Sequence, residues 1–268
     1  MLDLIQITND PVFARRCDAL DGMRLFVDLE RLGKAERQAG RNTFISTHQV
    51  SDVGKVKSQL RRSRLMVRVN PVNAGTRDEV DAVLAQGADM LMLPMFMSAS
   101  ELRQFLDIVD CRAPVSALLE NEGALASIDD WIEAPGLSEV YVGLNDLHLS
   151  LGRRFMFEPL AEGIVDRVAS LARARGIAFG FGGIARLEEG LLPGRDVLAE
   201  HLRLGSACVI LSRTFHNSQG SRRFEDEVAA LRATEVALAL RTPEQVQSDS
   251  VRIAQAIRGI ATAMANPS

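Results

Sequence analysis

At 268 residues, 47% hydrophobic and 25% charged, the chain has the makeup of an ordinary globular protein and the length of one large core or two small ones. A net charge of −4 leaves no basic footprint for nucleic acid, and no apolar run approaches membrane-spanning length. Cys17, Cys111 and Cys208 are odd in number and form no C-x-x-C pair, which argues against a disulfide framework or a thiolate zinc site. With an acidic start rather than a basic leader, the chain reads as cytoplasmic.

A short β-type run followed by a helical period recurs along the whole chain. Leu2–Thr8 is the first run, and Asp10-Pro11 opens a helix after it. Arg24–Leu29 is the second and ends among Asp28 and Glu30. A polar stretch, Gly33–Asn42, then precedes Thr43–Ser46 and a helix over Ser51–Leu60. Leu65–Val69 is the third run, closed by Asn70-Pro71, and Thr76–Gln86 is a helix whose Thr-Arg-Asp-Glu start has capping-box spacing. Asp89–Pro94 and the helix Ser98–Val109 follow, then Val115–Leu119 with helical residues Gly123–Trp131. Val140–Val142 leads to the helix Pro159–Arg175, Ile177–Gly180 to Val197–Leu204, and Cys208–Leu211 to Phe224–Leu238.

Eight β runs, each followed by a helix, predict an α/β fold of the (β/α)8 TIM-barrel type; a doubly wound open sheet is the alternative. The runs are almost continuously apolar, as parallel strands covered on both faces should be. The barrel is expected over 1–240, with residues 241–268 a C-terminal helical extension. Its helix, Pro243–Met264, carries a narrow seam of Val246, Ile253, Ile257, Ile260 and Met264. That seam either covers the barrel or packs on, or is exchanged with, a neighbouring subunit, so a homo-oligomer is expected.

In such a barrel the chemistry sits at the C-terminal ends of the strands. Two runs deliver a carboxylate there: Val115–Leu119 leads into Glu120, and Val140–Val142 breaks at Gly143 before Asp146. Two carboxylates, water and a chelating substrate suit an octahedral Mg²⁺ or Mn²⁺ ion; the plainer reading is a pair of turn caps. Glu30 and Pro94 also stand at strand ends, as candidate substrate-binding residues. Arg68 lies in LMVRVNP, too apolar for a surface arginine, so its guanidinium needs a partner. That partner is either a protein carboxylate, Asp28 or Glu30, or a substrate oxygen. The glycines of GFGGIA (Gly180–Ala185) permit close backbone approach but lack dinucleotide or P-loop spacing. Of four histidines, His48 after strand two is the candidate general base. His148 is placed to support Asp146, His201 reads as structural, and His216 is undecided.

FVDLE, VRVNP, GADMLMLPM, LLENEGAL, VYVGLNDLHLSLG and FGFGGIA occur in the order seen in the HpcH/HpaI aldolase and citrate lyase β-subunit superfamily, which the chain resembles from Leu25 to Phe215. The resemblance implies a pyruvate- or enolate-handling barrel that uses Mg²⁺ or a similar divalent cation. By motif, Glu120 and Asp146 match the two metal carboxylates, Arg68 the arginine that steadies the enolate oxygen, and Gly143, Leu144 and Asn145 the cradle of the pyruvate carboxylate. His48 matches the catalytic histidine of the aldolase branch. There are departures. Ala85-Gln86-Gly87 lacks that branch's aspartate, Gly-Leu-Asn-Asp stands for Gly-Pro-Ala-Asp, and Arg31 follows Glu30 where the acyl-CoA lyases carry an acid.

The expected activity is therefore a metal-dependent carbon–carbon lyase (aldolase) acting on a 4-hydroxy-2-oxo acid, its partners a small 2-oxo acid and an aldehyde. Alternatives are a lyase for a malyl-, citramalyl- or citryl-type CoA thioester, using Arg153, Arg154 or Arg186, and a non-catalytic barrel that binds a small acid. No lysine stands at a strand end, with Lys55 and Lys57 both on a helix, so a Schiff-base mechanism is not expected.

Overall fold

The computed structural model describes residues 1–33, 47–215 and 223–265. Eight strands follow one another in sequence order around a closed barrel: β1 (Asp3–Ile7), β2 (Met23–Asp28), β3 (Arg64–Arg68), β4 (Met90–Leu93), β5 (Val115–Leu119), β6 (Leu137–Val142), β7 (Ala178–Ile184) and β8 (Cys208–Leu211). Among the described residues the α-helices are α1 (Pro11–Asp18), α2 (Val50–Lys57), α3 (Thr76–Ala85), α4 (Ala99–Val109), α5 (Glu122–Ala126), α6 (Ile128–Trp131), α7 (Leu144–Ser150), α8 (Glu158–Ala161), α9 (Ile164–Ala174), α10 (Gly194–Leu204), α11 (Phe224–Ala239) and α12 (Pro243–Ala265). The (β/α)8 pattern read from the sequence is thus the fold, with α12 added at the C-terminal end. Most of the polar stretch Gly33–Asn42, the run Thr43–Ser46 and His216 lie outside the described residues. Among the described residues no helix is long and apolar enough to cross a membrane.

Contacts divide the chain into two compact units, Ile5–Tyr141 and Met1–Leu4 with Val142–Ser268. In the first, β2 to β5 pair in parallel, and the β2–β3 register sets Leu25 beside Leu65, Val27 beside Val67 and Asp28 beside Arg68. Leu25, Val27, Leu65, Val67 and Leu91 are all fully buried. Each such side chain contributes on the order of 1.5–3 kcal/mol relative to exposure. Helix starts are set locally. Asp10 Oδ1 accepts the Val12 and Phe13 N–H groups at 2.8 and 3.3 Å, and Ser98 Oγ accepts that of Glu101 at 3.3 Å. The capping box expected at Thr76 does not form. Gly75 is the N-cap without a side-chain bond, Thr76 Oγ1 accepts from the Asn73 N–H, and Glu79 turns instead to Asn70. Asn70 offers Glu79 two donors, its own N–H and its amide, which outcompete a single helix-end N–H.

A buried ion pair joins β2 to β6. Arg24 Nη1 donates to both Glu139 oxygens, at 3.0 and 2.7 Å, and Ser116 Oγ on β5 donates to Glu139 Oε1 at 3.0 Å. Glu139 is 1% exposed. It is out of place in an apolar run, and β6 indeed begins before the expected Val140, so Glu139 lies within the strand.

In the second unit, α12 lies against α8 and α10 of its own chain. Its buried residues are Ile253, Ile257 and Ala261, a step of four each time; Ile260 is only half-buried and Met264 is exposed. Arg252 forks onto Asp196 at 2.7 and 3.0 Å, and Arg241 pairs with Asp249 at 2.8 Å. At the start of β1, Glu235 accepts the Leu2 N–H at 2.6 Å while Arg232 donates to the Leu2 carbonyl at 2.6 Å.

His201 on α10 is structural, as its helix position suggested. It is fully buried, stacks on Phe181 at 3.8 Å between centroids and 11° between planes, and among the described residues neither ring nitrogen has a hydrogen-bond partner. Burial pushes its pKa down to about 3, so the ring is neutral in the folded protein.

Two outcomes follow from these buried groups. Glu139→Ala removes the buried carboxylate that accepts twice from Arg24 and is expected to cost about 3–5 kcal/mol, whereas Arg24→Met with Glu139→Leu restores much of that loss, as read by urea unfolding. For His201 the folded pKa lies below the unfolded value of about 6.5, so as pH falls below that value only the unfolded chain takes up the proton and stability drops. In His201→Phe the loss of stability between about pH 7.5 and 4.5 is expected to be smaller than in the parent chain, with urea midpoints as the readout.

Candidate active site

The ends of β2, β3 and β5 hold a compact charged cluster around Arg68. Its Nε donates to Asp28 Oδ1 at 2.9 Å and its Nη2 to Asp28 Oδ2 at 2.8 Å, a two-pronged fork set up by the Asp28–Arg68 register. Nη1 stands 3.3 Å from Glu30 Oε2, and the guanidinium carbon lies 5.7 Å over the Phe26 ring. Burial works against the Arg68 charge, but Asp28 first, then Glu30 and Glu120, outweigh it and raise its pKa. Arg68 is therefore charged at any accessible pH. A guanidinium has five N–H donors; two go to Asp28 and one faces Glu30, which leaves two for a further oxygen. The two partners open in the sequence, protein carboxylate or substrate oxygen, are thus compatible in geometry.

His48 belongs to the same cluster. Its Nδ1 accepts the Asp28 N–H at 3.1 Å, and the side chain is buried. An acceptor at Nδ1 is an unprotonated nitrogen, so the neutral ring carries its proton on Nε2. As placed, His48 is a donor. The general-base role expected for it requires the Asp28 bond to be given up. Three residues that sequence reading did not connect complete the surroundings. Arg31 Nη2 donates to the His48 carbonyl at 2.7 Å, Asn70 Oδ1 accepts the Arg31 and Leu32 N–H groups at 2.9 and 3.0 Å, and Asn70 Nδ2 donates to Glu79 Oε1 at 2.7 Å. Burial raises the Glu79 pKa against the pull of the Asn70 bonds. The one local signal was Asn70-Pro71 at a strand end; nothing in spacing tied it to Glu79.

The stretch Glu120-Asn121-Glu122-Gly123 is built around the loop after β4. Glu120 Oε1 accepts the Met95 N–H at 2.9 Å, Asn121 Nδ2 donates to the Phe96 carbonyl at 2.9 Å, and a Cβ on Gly123 would stand 2.7 Å from the Met97 carbonyl oxygen. Three successive backbone groups are thus matched by three side-chain choices. Met95 has φ +56°, a left-handed conformation that costs a non-glycine residue about 1–2 kcal/mol, and in it presents its N–H to Glu120. Pro94, immediately before it, is buried.

Asp146 lies in the first turn of α7 in the second unit, with Gly143 as N-cap, Leu144 buried and Asn145 exposed. Gly182, φ +55°, allows Leu144 to approach β7: a Cβ there would stand 2.9 Å from Leu144 Cδ1. The glycines of the GFGGIA stretch therefore serve a close contact and the register shift between Gly180 and Gly183 in the β7–β8 pairing. His148, expected to support Asp146, bonds through Nδ1 to the Leu144 carbonyl at 3.0 Å, one turn back in its own helix. Arg153 pairs with Glu162 at 2.7 Å, and Arg186 is mostly buried beside Glu189 and Glu227. Among the described residues no three His, Cys, Asp or Glu side chains cluster at metal-holding spacing. Glu120 and Asp146 remain hard oxygen donors of the kind that Mg²⁺ or Mn²⁺ takes alongside water and substrate.

The profile of the HpcH/HpaI aldolase/citrate lyase family matches residues 24–182, from the second strand to the glycines of β7. The chain belongs to the HpcH/HpaI aldolase/citrate lyase family. No curated protein matches it. Among solved structures, an HpcH/HpaI aldolase from Desulfitobacterium hafniense DCB-2 superposes with a TM-score of 0.59 at 16% identity, covering 91% of this chain and 95% of that one. A citrate lyase from Burkholderia xenovorans LB400 gives 0.63 at 15%, over 97% and 83%. The citrate synthase SbnG gives 0.61 at 16%, over 88% and 94%. At these identities the likeness carries the fold alone. The family is one of aldolases and lyases, which supports an enzyme, and its members are generally divalent-metal-dependent.

Since Asp28 is the main counter-charge of Arg68, Asp28→Ala in this HpcH/HpaI chain is expected to lose about 3–5 kcal/mol of stability in urea unfolding. Asp28→Ala with Arg68→Met and Glu30→Gln is expected to recover part of it, because the buried carboxylate that faces the guanidinium is then neutral as well.

Proposed function

We propose that this chain is a divalent-metal-dependent carbon–carbon lyase that cleaves or forms a 4-hydroxy-2-oxo acid through a pyruvate enolate. The observation that carries the reading is Arg68: a permanently charged guanidinium at a strand end, fixed by Asp28, with two N–H donors to spare for a developing oxyanion.

In the cleavage direction the bond between C3 and C4 of the substrate breaks and its electron pair moves into the pyruvate enolate. The 4-hydroxyl gives up its proton to a base and becomes the aldehyde carbonyl, and the enolate then takes a proton at C3 to yield pyruvate. Arg68 binds the oxygen on which negative charge grows; Asp28 and Glu30 hold the guanidinium so that no reorientation is needed as it does. His48 contributes its Nε2–H as a donor to a substrate oxygen while Nδ1 stays on the Asp28 N–H. Glu120, with one oxygen on Met95 N–H, and Asp146 would hold Mg²⁺ or Mn²⁺, which supplies Lewis-acid stabilisation of the enolate charge. The Gly143, Leu144 and Asn145 backbone would receive the pyruvate carboxylate, with Glu30 and Pro94 at the wall of the site. The described lysines, Lys55 and Lys57, are both on α2 and pair with Asp52 and Asp89, so neither is offered as an amine nucleophile.

The test is pyruvate release by metal-stripped protein from a panel of 4-hydroxy-2-oxo acids, with and without Mg²⁺ or Mn²⁺. Release restored by metal, lost in Asp146→Ala and lowered about 10²–10³-fold in Arg68→Ala is the expected result. Undiminished release from Asp146→Ala, or silence over the whole panel with metal bound, overturns the reading.

A further inference from the structure

We infer that Glu79, Asn70 and Arg31 are positioning residues that act through the His48 backbone to hold the His48 ring as an Nε2–H donor beside the Arg68–Asp28 pair. The role assigned to His48 rests on the proposed lyase reading; the ring state itself does not.

The chain of bonds is continuous and its polarity is settled at each link. A carboxylate accepts only, so Glu79 fixes which end of the Asn70 amide faces it: Nδ2 donates at 2.7 Å, with the Asn70 N–H adding bonds at 3.2 and 3.3 Å. The Asn70 carbonyl oxygen is thereby turned the other way, where it accepts two consecutive backbone N–H groups, those of Arg31 and Leu32. With its backbone anchored, Arg31 carries its guanidinium to the His48 carbonyl at 2.7 Å and to that of Thr47 at 3.4 Å. His48 is then set so that Nδ1 meets the Asp28 N–H, two residues before Glu30 and next to the carboxylate that forks Arg68. Asn70 is the hub. Its side chain touches both α3, through Glu79, and the backbone following β2, and its amide serves an acceptor-only neighbour and donor-only neighbours at once. Glu79 would otherwise have stayed at the N-terminus of α3, where the sequence spacing put it; in the structure it is spent on Asn70 instead.

The decisive measurement is the ring state of His48 by long-range ¹H–¹⁵N correlation spectra, with the His48 signals assigned by their disappearance in His48→Gln. The folded parent chain is expected to show the neutral Nε2–H pattern, with Nδ1 unprotonated. Asn70→Asp keeps the shape and the acceptor but faces Glu79 with a second carboxylate; the His48 signals are expected to shift toward a mixture of ring states. If the lyase reading holds, kcat falls about tenfold at nearly constant KM for pyruvate release. Adding Glu79→Gln to Asn70→Asp restores a donor to the pair with its direction reversed, and both readouts are expected to return toward the parent. Arg31→Gln, an exposed change that leaves the Asn70 bonds intact, is expected to shift the same His48 signals without loss of fold. The inference is overturned if the parent shows His48 protonated at Nδ1, or if Asn70→Asp and Arg31→Gln both leave the His48 signals in place. A parent chain with no pyruvate release removes the lyase reading only, since the spectra decide the ring state without turnover.

Discussion

The candidate site depends on the register between β2 and β3. Parallel pairing sets Asp28 level with Arg68, so carboxylate and guanidinium meet as a two-pronged fork. A slip by one residue would turn each side chain to the other face of the sheet and leave two buried charges apart. Register and charge thus enforce one another. The apolar pairs Leu25–Leu65 and Val27–Val67 align the strands, and the ion pair penalises any other alignment. The same pairing brings Glu30 to Arg68 and the Asp28 N–H to His48, so one strand pair sets the position of four groups in the cluster.

Around that pair the molecule uses backbone strain and close approach rather than bulk. Met95 takes a left-handed turn to aim its N–H at Glu120, Asn121 latches the next carbonyl, and Gly123 is bare because the Met97 oxygen leaves no room for a Cβ. In the second unit Gly182 yields space to Leu144 in the same manner. The left-handed turn at Met95 costs about 1–2 kcal/mol, sustained by a surrounding core of fully buried strands, while the glycines take their positions without steric cost. The Met95 N–H holds Glu120 in a defined position before any ligand arrives, which is what an electrostatic site requires.

Much of this was legible in the residues. The eightfold alternation of apolar runs and helices identified the barrel because parallel strands covered on both faces must be apolar throughout, and the strand-end position of Glu120 followed from the same pattern. An arginine inside LMVRVNP announced a buried partner, since its desolvation has to be compensated, and Asp28 and Glu30 were the acids in reach. Less legible were bonds whose direction depends on a third residue. Thr76 and Glu79 have capping-box spacing, yet Glu79 serves Asn70; His48 stands where a base is wanted, yet its Nδ1 is occupied by a backbone N–H. In α12 the apolar seam was visible, but the helix face that is buried, Ile253, Ile257 and Ala261, was settled by the helices it meets.

The sequence by itself determined the periodicities, and through them the order of strands and helices, because burial of apolar surface responds to patterns only a few residues long. It also determined which ionisable groups stand at strand ends. Only the tertiary structure decided which of them share a hydrogen bond and which nitrogen of His48 carries the proton. Those outcomes depend on distances of about 3 Å between segments far apart in the chain, where one competing donor is enough to reverse the choice.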